Sequence, residues 1–299
     1  MSYVKTKDQT RLFYRDRGEG IPVVLIHGWP LNGDMFEYQA LDFLRSGFRV
    51  ITYDRRGFGR SEQPAKGYDY NTLADDLHDL IEHLGLEKVS LVGFSMGGGE
   101  IARYLARHGS QKVASVALVS AITPYLLKEG DNPEGVEEKD IRSMISEVEK
   151  DYSTFIEKFT KQFFGVNFIR RAVSTETQHW CFNMATMASI FAASECVKSF
   201  GFTDFREDMK SFDVPTLIIH GDEDKIVPDD TAGKAAAALI SGATFLSYEG
   251  GPHGLFITHR EELSNDLIKF FSAHRGLETP RLISQEVDSV RAGSGGYRQ

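Results

Sequence analysis

The stretch that decides the fold is Val89-Ser-Leu-Val-Gly-Phe-Ser-Met-Gly-Gly-Gly-Glu100. It begins as an apolar β-type run and continues into a helical pattern that ends near His108, so Ser95 stands at a strand-to-helix turn. Glycine at positions 93 and 97 removes the clashes that such a sharp turn imposes on side chains. The turn exposes the hydroxyl close to a helix N-terminus, where free N–H groups favour developing negative charge. We therefore predict that Ser95 is a catalytic nucleophile.

Apolar β-type runs recur on both sides of this stretch. Strands are predicted at 23–26, 49–53, 89–92, 113–119, 215–219 and 243–248. Between the second and third of these runs, the pattern over 72–84 places its leucines and isoleucine on one face of a helix. Runs that are apolar throughout are typical of strands covered on both faces. Their alternation with helices predicts an α/β fold around a mostly parallel sheet.

The strand pattern stops between residues 125 and 206. This segment has the pattern of amphipathic helices rich in Phe and Met, and we predict a helical lid inserted into one core. The core then comprises 1–124 and 207–274, and the loop-like residues 275–299 form a mobile tail. An insertion between sheet strands is expected to cover a site at the carboxyl ends of those strands.

A serine hydroxyl needs a base to become nucleophilic, and we expect a histidine that is oriented by a carboxylate. His253 lies in a loop rich in Gly and Pro after the last predicted strand, where it can reach Ser95; structural roles are expected for the other histidines. The loop after the strand at 215–219 offers Asp222, Glu223 and Asp224. Asp222 follows a glycine and is expected to hold the turn. Asp224 lies further out, where it can reach the histidine.

An acyl-transfer site also needs two N–H donors for the oxyanion. We predict the backbone N–H groups of Met96, which follows the nucleophile, and of Trp29, because its neighbour Pro30 has no N–H. His27 is expected to fix this loop by hydrogen bonds. The glycines of the loop 54–61 fit neither a dinucleotide nor a phosphate loop, so we interpret that loop as structural. Substrate is expected to contact Trp29, Phe94, Met184, Met187, Val227 and Leu255.

Composition narrows the class of partner. The chain carries 34 Lys and Arg against 43 Asp and Glu, a formal charge of −9, which argues against a general nucleic-acid surface. No apolar run approaches the roughly 18 residues of a membrane span, and the N-terminus lacks a signal pattern. No Cys/His cluster has metal-ligand spacing, and Cys181 and Cys196 are expected to be buried thiols. We expect a cytoplasmic protein with no nucleic-acid, membrane or metal partner.

Five motifs together resemble the cofactor-free bacterial haloperoxidases and their aryl-esterase relatives. They are His27-Gly-Trp-Pro-Leu, Tyr53-Asp-Arg-Arg-Gly-Phe-Gly-Arg-Ser, Val92-Gly-Phe-Ser-Met-Gly-Gly-Gly-Glu, Gly221-Asp-Glu-Asp-Lys-Ile-Val-Pro and Pro252-His-Gly. The similarity covers about residues 1 to 273, with the lid included. Phe94 departs from the family pattern, since many members have His there; some relatives that act on lactams also have Phe.

The resemblance implies an α/β-hydrolase fold, with Asp224 rather than Asp222 as the triad acid beside Ser95 and His253. It places the oxyanion hole at Trp29 and Met96. The implied chemistry is an acyl-enzyme formed from a small carboxylic ester or acid, released by water or by hydrogen peroxide. Peroxide gives a peracid that oxidises bromide or chloride without haem, metal or other cofactor. The alternatives are a lactamase or amidase, a C–C bond hydrolase, or a ligand-binding receptor on the same fold; relatives also suggest self-association into a homo-oligomer.

Overall fold

A computed structural model describes residues 2–166 and 172–274 of the chain. The predicted tail at 275–299, and five residues of the predicted lid at 167–171, lie outside the described residues. Within them, eight strands form one sheet. In chain order they are β1 (Ser2–Lys5), β2 (Arg11–Arg17), β3 (Ile21–Ile26), β4 (Phe48–Tyr53), β5 (Val89–Phe94), β6 (Val113–Val119), β7 (Thr216–Gly221) and β8 (Thr244–Tyr248).

The strand order in the sheet is β1-β2-β4-β3-β5-β6-β7-β8. The neighbours from β4 to β8 pair in parallel, whereas β1 and β2 add an antiparallel edge next to β4. The central strands β5 and β7 are buried at every position, which explains their unbroken apolar runs. The predicted mostly parallel α/β sheet is confirmed. The sequence analysis does not predict β1 and β2, because exposed and polar residues interrupt both strands.

Helices flank this sheet along its length. They are α1 (Glu37–Arg45), α2 (Tyr70–His83), α3 (Met96–His108), α4 (Glu138–Lys150), α5 (Tyr152–Phe163), α6 (Thr175–Ala185), α7 (Ile190–Phe202), α8 (Gly233–Leu239), α9 (Leu255–Thr258) and α10 (Arg260–Ala273). In the core, α2 packs against α3 and α1 against α10. The Asp69 carboxylate caps α2 by accepting a hydrogen bond from the Thr72 N–H, which stabilises the free end of that helix.

Four of these helices, α4 to α7, lie between β6 and β7 in the chain. They pack in pairs, α4 on α7 and α5 on α6, and all four fall inside the segment 125–206. Their treatment as a separate lid stays a prediction. Among the described residues, α2 and α10 have 14 residues each, and no helix is long and apolar enough to cross a membrane.

The two cysteines lie in helices between β6 and β7, Cys181 in α6 and Cys196 in α7. Both are free thiols and both are buried, so the prediction of buried thiols is confirmed. Burial raises the pKa of each thiol to about 12, because the thiolate would lose its hydration. Neither side chain is therefore a nucleophile in the folded chain.

Candidate active site

Ser95 occupies the turn between β5 and α3, with a backbone φ of 53°, which is the left-handed region that side chains rarely adopt. The turn is tight enough to require its two glycines. A Cβ at Gly93 would lie 2.6 Å from the Gly97 carbonyl oxygen, and a Cβ at Gly97 would lie 2.5 Å from the Ile26 carbonyl oxygen. The Ser95 N–H donates to the Val119 carbonyl at 2.9 Å, which ties the turn to β6. Close contacts with β3 and β6 thus hold the backbone of Ser95 in its left-handed conformation.

A continuous series of hydrogen bonds runs from this serine to an acid. The Ser95 Oγ lies 3.0 Å from His253 Nε2, and His253 Nδ1 lies 2.6 Å from Asp224 Oδ2. A carboxylate only accepts hydrogen bonds, so Nδ1 carries the proton and Nε2 presents its lone pair to the serine hydroxyl. All three side chains are almost entirely buried. The structure brings together the three residues that the sequence analysis selects.

Two packed segments fix the imidazole of His253. The Ser120 hydroxyl donates to the His253 carbonyl at 3.2 Å, and the next residue, Gly254, donates its N–H to the Phe163 carbonyl of α5 at 2.9 Å. The rings of Phe94 and Phe163 lie 5.1 Å and 4.9 Å from the imidazole. Phe94 therefore packs beside the base. Because Phe163 belongs to α5, the lid region takes part in orienting the histidine.

The two candidate acids make different contacts. Asp224 Oδ1 accepts the N–H groups of Ile226 and Val227 at 2.9 Å and 2.8 Å, which leaves Oδ2 for His253. Asp222 Oδ1 accepts the Gly250 N–H at 2.7 Å and so closes the turn against the neighbouring loop. The geometry agrees with the expectation that Asp222 holds the turn and Asp224 reaches the histidine.

Asp224 also contacts a second histidine, to which the sequence analysis assigns only a structural role. His220, at the end of β7, places its Nε2 2.8 Å from the Val227 carbonyl and 3.3 Å from Asp224 Oδ2. Burial by itself raises the pKa of Asp224, but the electrostatic attraction of His253 and the hydrogen bonds from both histidines hold that pKa well below its usual range. The carboxylate is therefore charged. The only sequence signal for this contact is the position of His220 four residues before the acid.

The predicted oxyanion donors lie on either side of the nucleophile. Met96 is the first residue of α3, where the N–H groups of a helix have no intrahelical acceptor. The loop of Trp29 packs closely on the nucleophile, because a Cβ at Gly28 would lie 3.1 Å from the Ser95 Cβ. The indole N–H of Trp29 donates to the Ala193 carbonyl of α7 at 3.1 Å, so the backbone N–H is the donor left for substrate.

A buried polar network supports the oxyanion loop. His27 Nδ1 donates to the Gly28 carbonyl at 2.9 Å, and His27 Nε2 accepts the Arg55 backbone N–H at 2.9 Å. The Arg55 guanidinium donates to the His27 carbonyl at 2.8 Å and to Glu100 of α3 at 2.8 Å, and Tyr53 also donates to Glu100. Burial, and then the charge of Arg55, lower the pKa of His27 well below its usual value. His27 stays neutral and fixes the loop, as expected.

The neighbouring loop 54–61 has the structural role that its sequence predicts. Asp54 accepts the Gly33 N–H at 2.9 Å and the Arg60 N–H at 2.8 Å, and its carboxylate also pairs with the Arg60 side chain at 2.7 Å. Arg56 forms a bidentate pair with Asp76 of α2, with both contacts at 2.6 Å. These bonds join the ends of β3 and β4 to the helix layer beneath the nucleophile.

A cavity of about 640 Å³ opens onto Ser95 and His253. Of the six residues predicted to contact substrate, Trp29 and Val227 line it. Phe94, Met184 and Leu255 are buried elsewhere, and Met187 lies on the surface with 41% of its side chain exposed. Four of the six predicted contacts, those of Phe94, Met184, Met187 and Leu255, thus do not line this cavity. The reason is that α6 packs on α5, and it is α5 that presents Phe155 and Phe159 to the cavity.

Comparisons with known proteins show which family this chain resembles in sequence and in fold. The model of the α/β-hydrolase fold family matches residues 21–260. The chain is 44% identical over 260 residues to a putative non-heme chloroperoxidase of Synechocystis, covering 87% of this chain and 94% of the relative. It is 38% identical over 273 residues to a bifunctional esterase/perhydrolase of Acinetobacter calcoaceticus, covering 90% and 99%. The structure matches the crystal structure of bromoperoxidase from Bacillus anthracis with a TM-score of 0.88 and 43% identity, covering 91% and 99%.

Proposed function

Because the chain belongs to the α/β-hydrolase family, in its branch of haloperoxidases and esterases, we propose that Ser95, His253 and Asp224 are its catalytic triad. The enzyme hydrolyses small carboxylic esters and has perhydrolase and haloperoxidase activity. The observation that carries the assignment of residues is the hydrogen-bonded series from the Ser95 hydroxyl through His253 to Asp224, beside a cavity of about 640 Å³ that Ser95 and His253 line.

The geometry supports a two-step acyl transfer. The Ser95 oxygen attacks the ester carbonyl carbon while His253 Nε2 takes the hydroxyl proton, and Asp224 stabilises the imidazolium that forms. The C–O bond to the alcohol then breaks, and the histidine returns the proton to the departing oxygen. The product is an acyl-enzyme with a neutral histidine ready for the second step.

The acceptor in the second step decides the product. Water attacks the acyl-enzyme and gives its proton to His253; the bond from the acyl carbon to the Ser95 oxygen then breaks, the histidine returns the proton to that oxygen, and the carboxylic acid leaves. Hydrogen peroxide attacks in the same way and releases a peracid. The peracid transfers one oxygen to bromide and becomes the carboxylic acid, and the bromide becomes hypobromite. Halide oxidation then occurs away from the protein, so one acyl-enzyme accounts for both activities.

The backbone N–H groups of Trp29 and Met96 are the proposed oxyanion donors. The negative charge of the tetrahedral intermediate would form beside Ser95, between the start of α3 and the loop that follows β3. Removal of one such donor costs about 3–4 kcal/mol of transition-state stabilisation in related chemistry. The bonds from the Trp29 indole to α7 and from His27 to Gly28 hold this loop in place. The cytoplasmic location and the self-association stay predictions.

The test measures hydrolysis of p-nitrophenyl acetate by the wild type and by Ser95→Ala, each with and without peroxide, bromide and a halogenation indicator. Both activities should fall by at least about 10⁴-fold in Ser95→Ala, because one acyl-enzyme serves both. The control is Ser241→Ala, an exposed serine outside the cavity, which should keep both activities. Halogenation that survives in Ser95→Ala would contradict the shared intermediate.

A further inference from the structure

Asp224 lies between two histidines in the folded chain, although the acyl-transfer steps use only one of them. His253 Nδ1 stands 2.6 Å from Asp224 Oδ2, and His220 Nε2 stands 3.3 Å from the same oxygen. His220 belongs to β7, and its side chain is fully buried. The proposed triad acid therefore has a second imidazole partner, whose role the acyl-transfer steps leave unexplained.

The hydrogen-bond partners of His220 determine which of its nitrogens carries the proton. Its Nε2 lies 2.8 Å from the Val227 carbonyl oxygen, which only accepts hydrogen bonds, so Nε2 is protonated. Its Nδ1 is buried and has no hydrogen-bond partner among the residues that the structure describes. A proton on Nδ1 as well would bury a charged ring with an unsatisfied donor, which is unfavourable. His220 is therefore a neutral imidazole that offers one N–H to the acid loop, residues 222–228.

Contacts of His220 reach both oxygens of the Asp224 carboxylate. Val227 donates its backbone N–H to Asp224 Oδ1 at 2.8 Å, and its carbonyl accepts the His220 N–H, so the histidine anchors the residue that holds Oδ1. Oδ2 lies 3.3 Å from the same N–H group. A shift of the His220 ring would therefore move the carboxylate relative to the Nδ1 of His253.

The first residue of α8 packs closely on the His220 ring. A Cβ at Gly233 would lie 2.8 Å from the His220 Cβ and 2.9 Å from its Cγ and Nδ1, closer than packed atoms approach one another. Glycine at this position allows α8 to contact the ring, and such close packing leaves the ring little freedom to turn. The orientation of the imidazole beside Asp224 is thus set by residues outside the proposed triad.

We propose that His220 is a positioning residue of the active site, whose neutral ring holds Asp224 and the acid loop in the geometry that orients His253. The proposal rests on the proposed function, since it extends the same triad by one residue. The N–H of His220 also places the positive end of a dipole beside Oδ2, where it partly offsets the negative charge that faces His253. Without this N–H, the carboxylate would stabilise the protonated form of His253 more strongly, and the base would be lost at a higher pH.

The experiment measures kcat and KM for p-nitrophenyl acetate, and the pH dependence of kcat/KM, in the wild type, His220→Leu and His220→Gln. Leucine removes the N–H, whereas glutamine keeps an N–H donor near the end of a side chain of similar size. Titration of Ser95 to completion with a fluorophosphonate counts the folded active sites, so that unfolded protein does not enter kcat. A second variant, Gly233→Ala, displaces the ring from the side of α8, and its matched control is Gly130→Ala, whose Cβ would meet no atom within 4 Å.

His220→Leu should lower kcat about 10–100-fold and leave KM within about 2-fold, because a displacement of about 1 Å at a catalytic group costs up to about 10²-fold in rate. The midpoint on the acid side of the pH profile should rise by about 0.5 pH unit. Among the described residues, Asp224 forms ion-pair contacts with His253 and His220 and with no other side chain, so this shift reports their interaction. His220→Gln should restore most of both properties, and Gly233→Ala should lower kcat while Gly130→Ala does not.

A histidine that only stabilises the fold would reduce the number of titrated sites without a change in kcat or in the acid-side midpoint, and that result overturns the proposal. Equal losses of kcat in His220→Leu and His220→Gln overturn it as well, since the N–H would then not matter. If His220→Leu does not fold, a Gly233→Ala variant with the kcat of the wild type contradicts the role of the ring. A wild type without serine-dependent hydrolysis refutes the proposed function itself, so the two failures are distinguishable.

Discussion

The contrast between Asp224→Asn and Asp222→Asn tests the active site most directly. An asparagine at position 224 keeps its carbonyl oxygen toward the N–H groups of Ile226 and Val227, because those two bonds need an acceptor. Its NH₂ group then replaces Oδ2 and faces His253 Nδ1, which now lies 2.6 Å from the carboxylate. Two N–H donors cannot face each other, so His253 changes tautomer. Its Nε2 then carries the proton and cannot take one from Ser95.

The contact with His220 works in the same direction. His220 Nε2 donates to the Val227 carbonyl at 2.8 Å and approaches Asp224 Oδ2 at 3.3 Å, so the new NH₂ group also meets a donor there. No rotation of the amide satisfies all four neighbours at once. The same carboxylate-to-amide change in a serine protease lowers kcat about 10⁴-fold, equivalent to about 5.4 kcal/mol of transition-state stabilisation. We expect a loss of that order in Asp224→Asn.

The assay is kcat for p-nitrophenyl acetate hydrolysis, measured on variants whose folding is checked by circular dichroism. Asp222→Asn should stay within a few-fold of the wild type, since an amide oxygen still accepts the Gly250 N–H and the side chain is exposed. Near-equal losses in the two variants, or a larger loss in Asp222→Asn, would refute the reasoning from hydrogen-bond geometry. A larger loss in Asp222→Asn would mean that Asp222 is the acid that orients His253.

Stability against acid gives a second readout of the same residue. The pKa of Asp224 is held well below that of an unfolded Asp, so ionisation of this group stabilises the fold above about pH 3.9. That stabilisation is lost as the pH falls below this value, because the unfolded chain then binds a proton that the folded chain does not. Between pH 4 and pH 2 the free energy of unfolding should fall less steeply in Asp224→Asn than in the wild type, when both are measured by urea titration. Equal slopes would mean that the folded carboxylate is not specially stabilised.

Three further predictions concern the scaffold of the site. Gly97→Ala should lower the free energy of unfolding by about 1–3 kcal/mol and reduce esterase activity, because its Cβ would lie 2.5 Å from a carbonyl oxygen of β3; unchanged activity and melting temperature would contradict the close contact. Glu100→Gln should cost about 3–5 kcal/mol in a denaturant titration, since it leaves the buried guanidinium of Arg55 without its counter-charge, and a loss below 1 kcal/mol would show that the charge is compensated elsewhere. Cys181 and Cys196 should react with a thiol reagent only in denaturant, and rapid labelling of the native enzyme would contradict their burial.

The sequence predicts the elements whose signal is local. The central strands are unbroken apolar runs because the sheet covers them on both faces, and the turn at Ser95 is marked by the two glycines that its geometry demands. The strands β1 and β2 lack such a signal, since exposed and polar residues interrupt their apolar positions. β2 pairs with the distant strand β4, and β1 then pairs with β2, so tertiary pairing adds to a weak local preference in making them strands.

The residues that line the cavity, in contrast, could not be predicted from local sequence signals. A pattern of Phe and Met in the lid segment predicts apolar helices, but it does not say which of them faces the core. Met184 belongs to α6, which packs on α5, and Met187 lies on the surface after α6, in contact with Asn32 and Gln63. Phe155 and Phe159 of α5 line the cavity instead. The difference depends on how helices pack on each other, and one sequence does not record it. The contact of His220 with Asp224 depends on the path of the loop after β7, which the sequence does not record either.

The sequence by itself determined that this chain forms a mostly parallel α/β sheet and that Ser95 stands on a strained turn, because these features depend on residues close together in the chain. For the base and its acid the sequence predicts His253 and Asp224, taken from the loops that follow the last two strands. Only the tertiary structure decided the rest. It set the distances of 3.0 Å from Ser95 to His253 and 2.6 Å from His253 to Asp224, the different contacts of Asp222 and Asp224, and the lining of the cavity. The contact of Ser95 with His253 and that of Trp29 with α7 join segments more than 100 residues apart, which meet only when the hydrophobic core places the strand ends and the helices between β6 and β7 side by side.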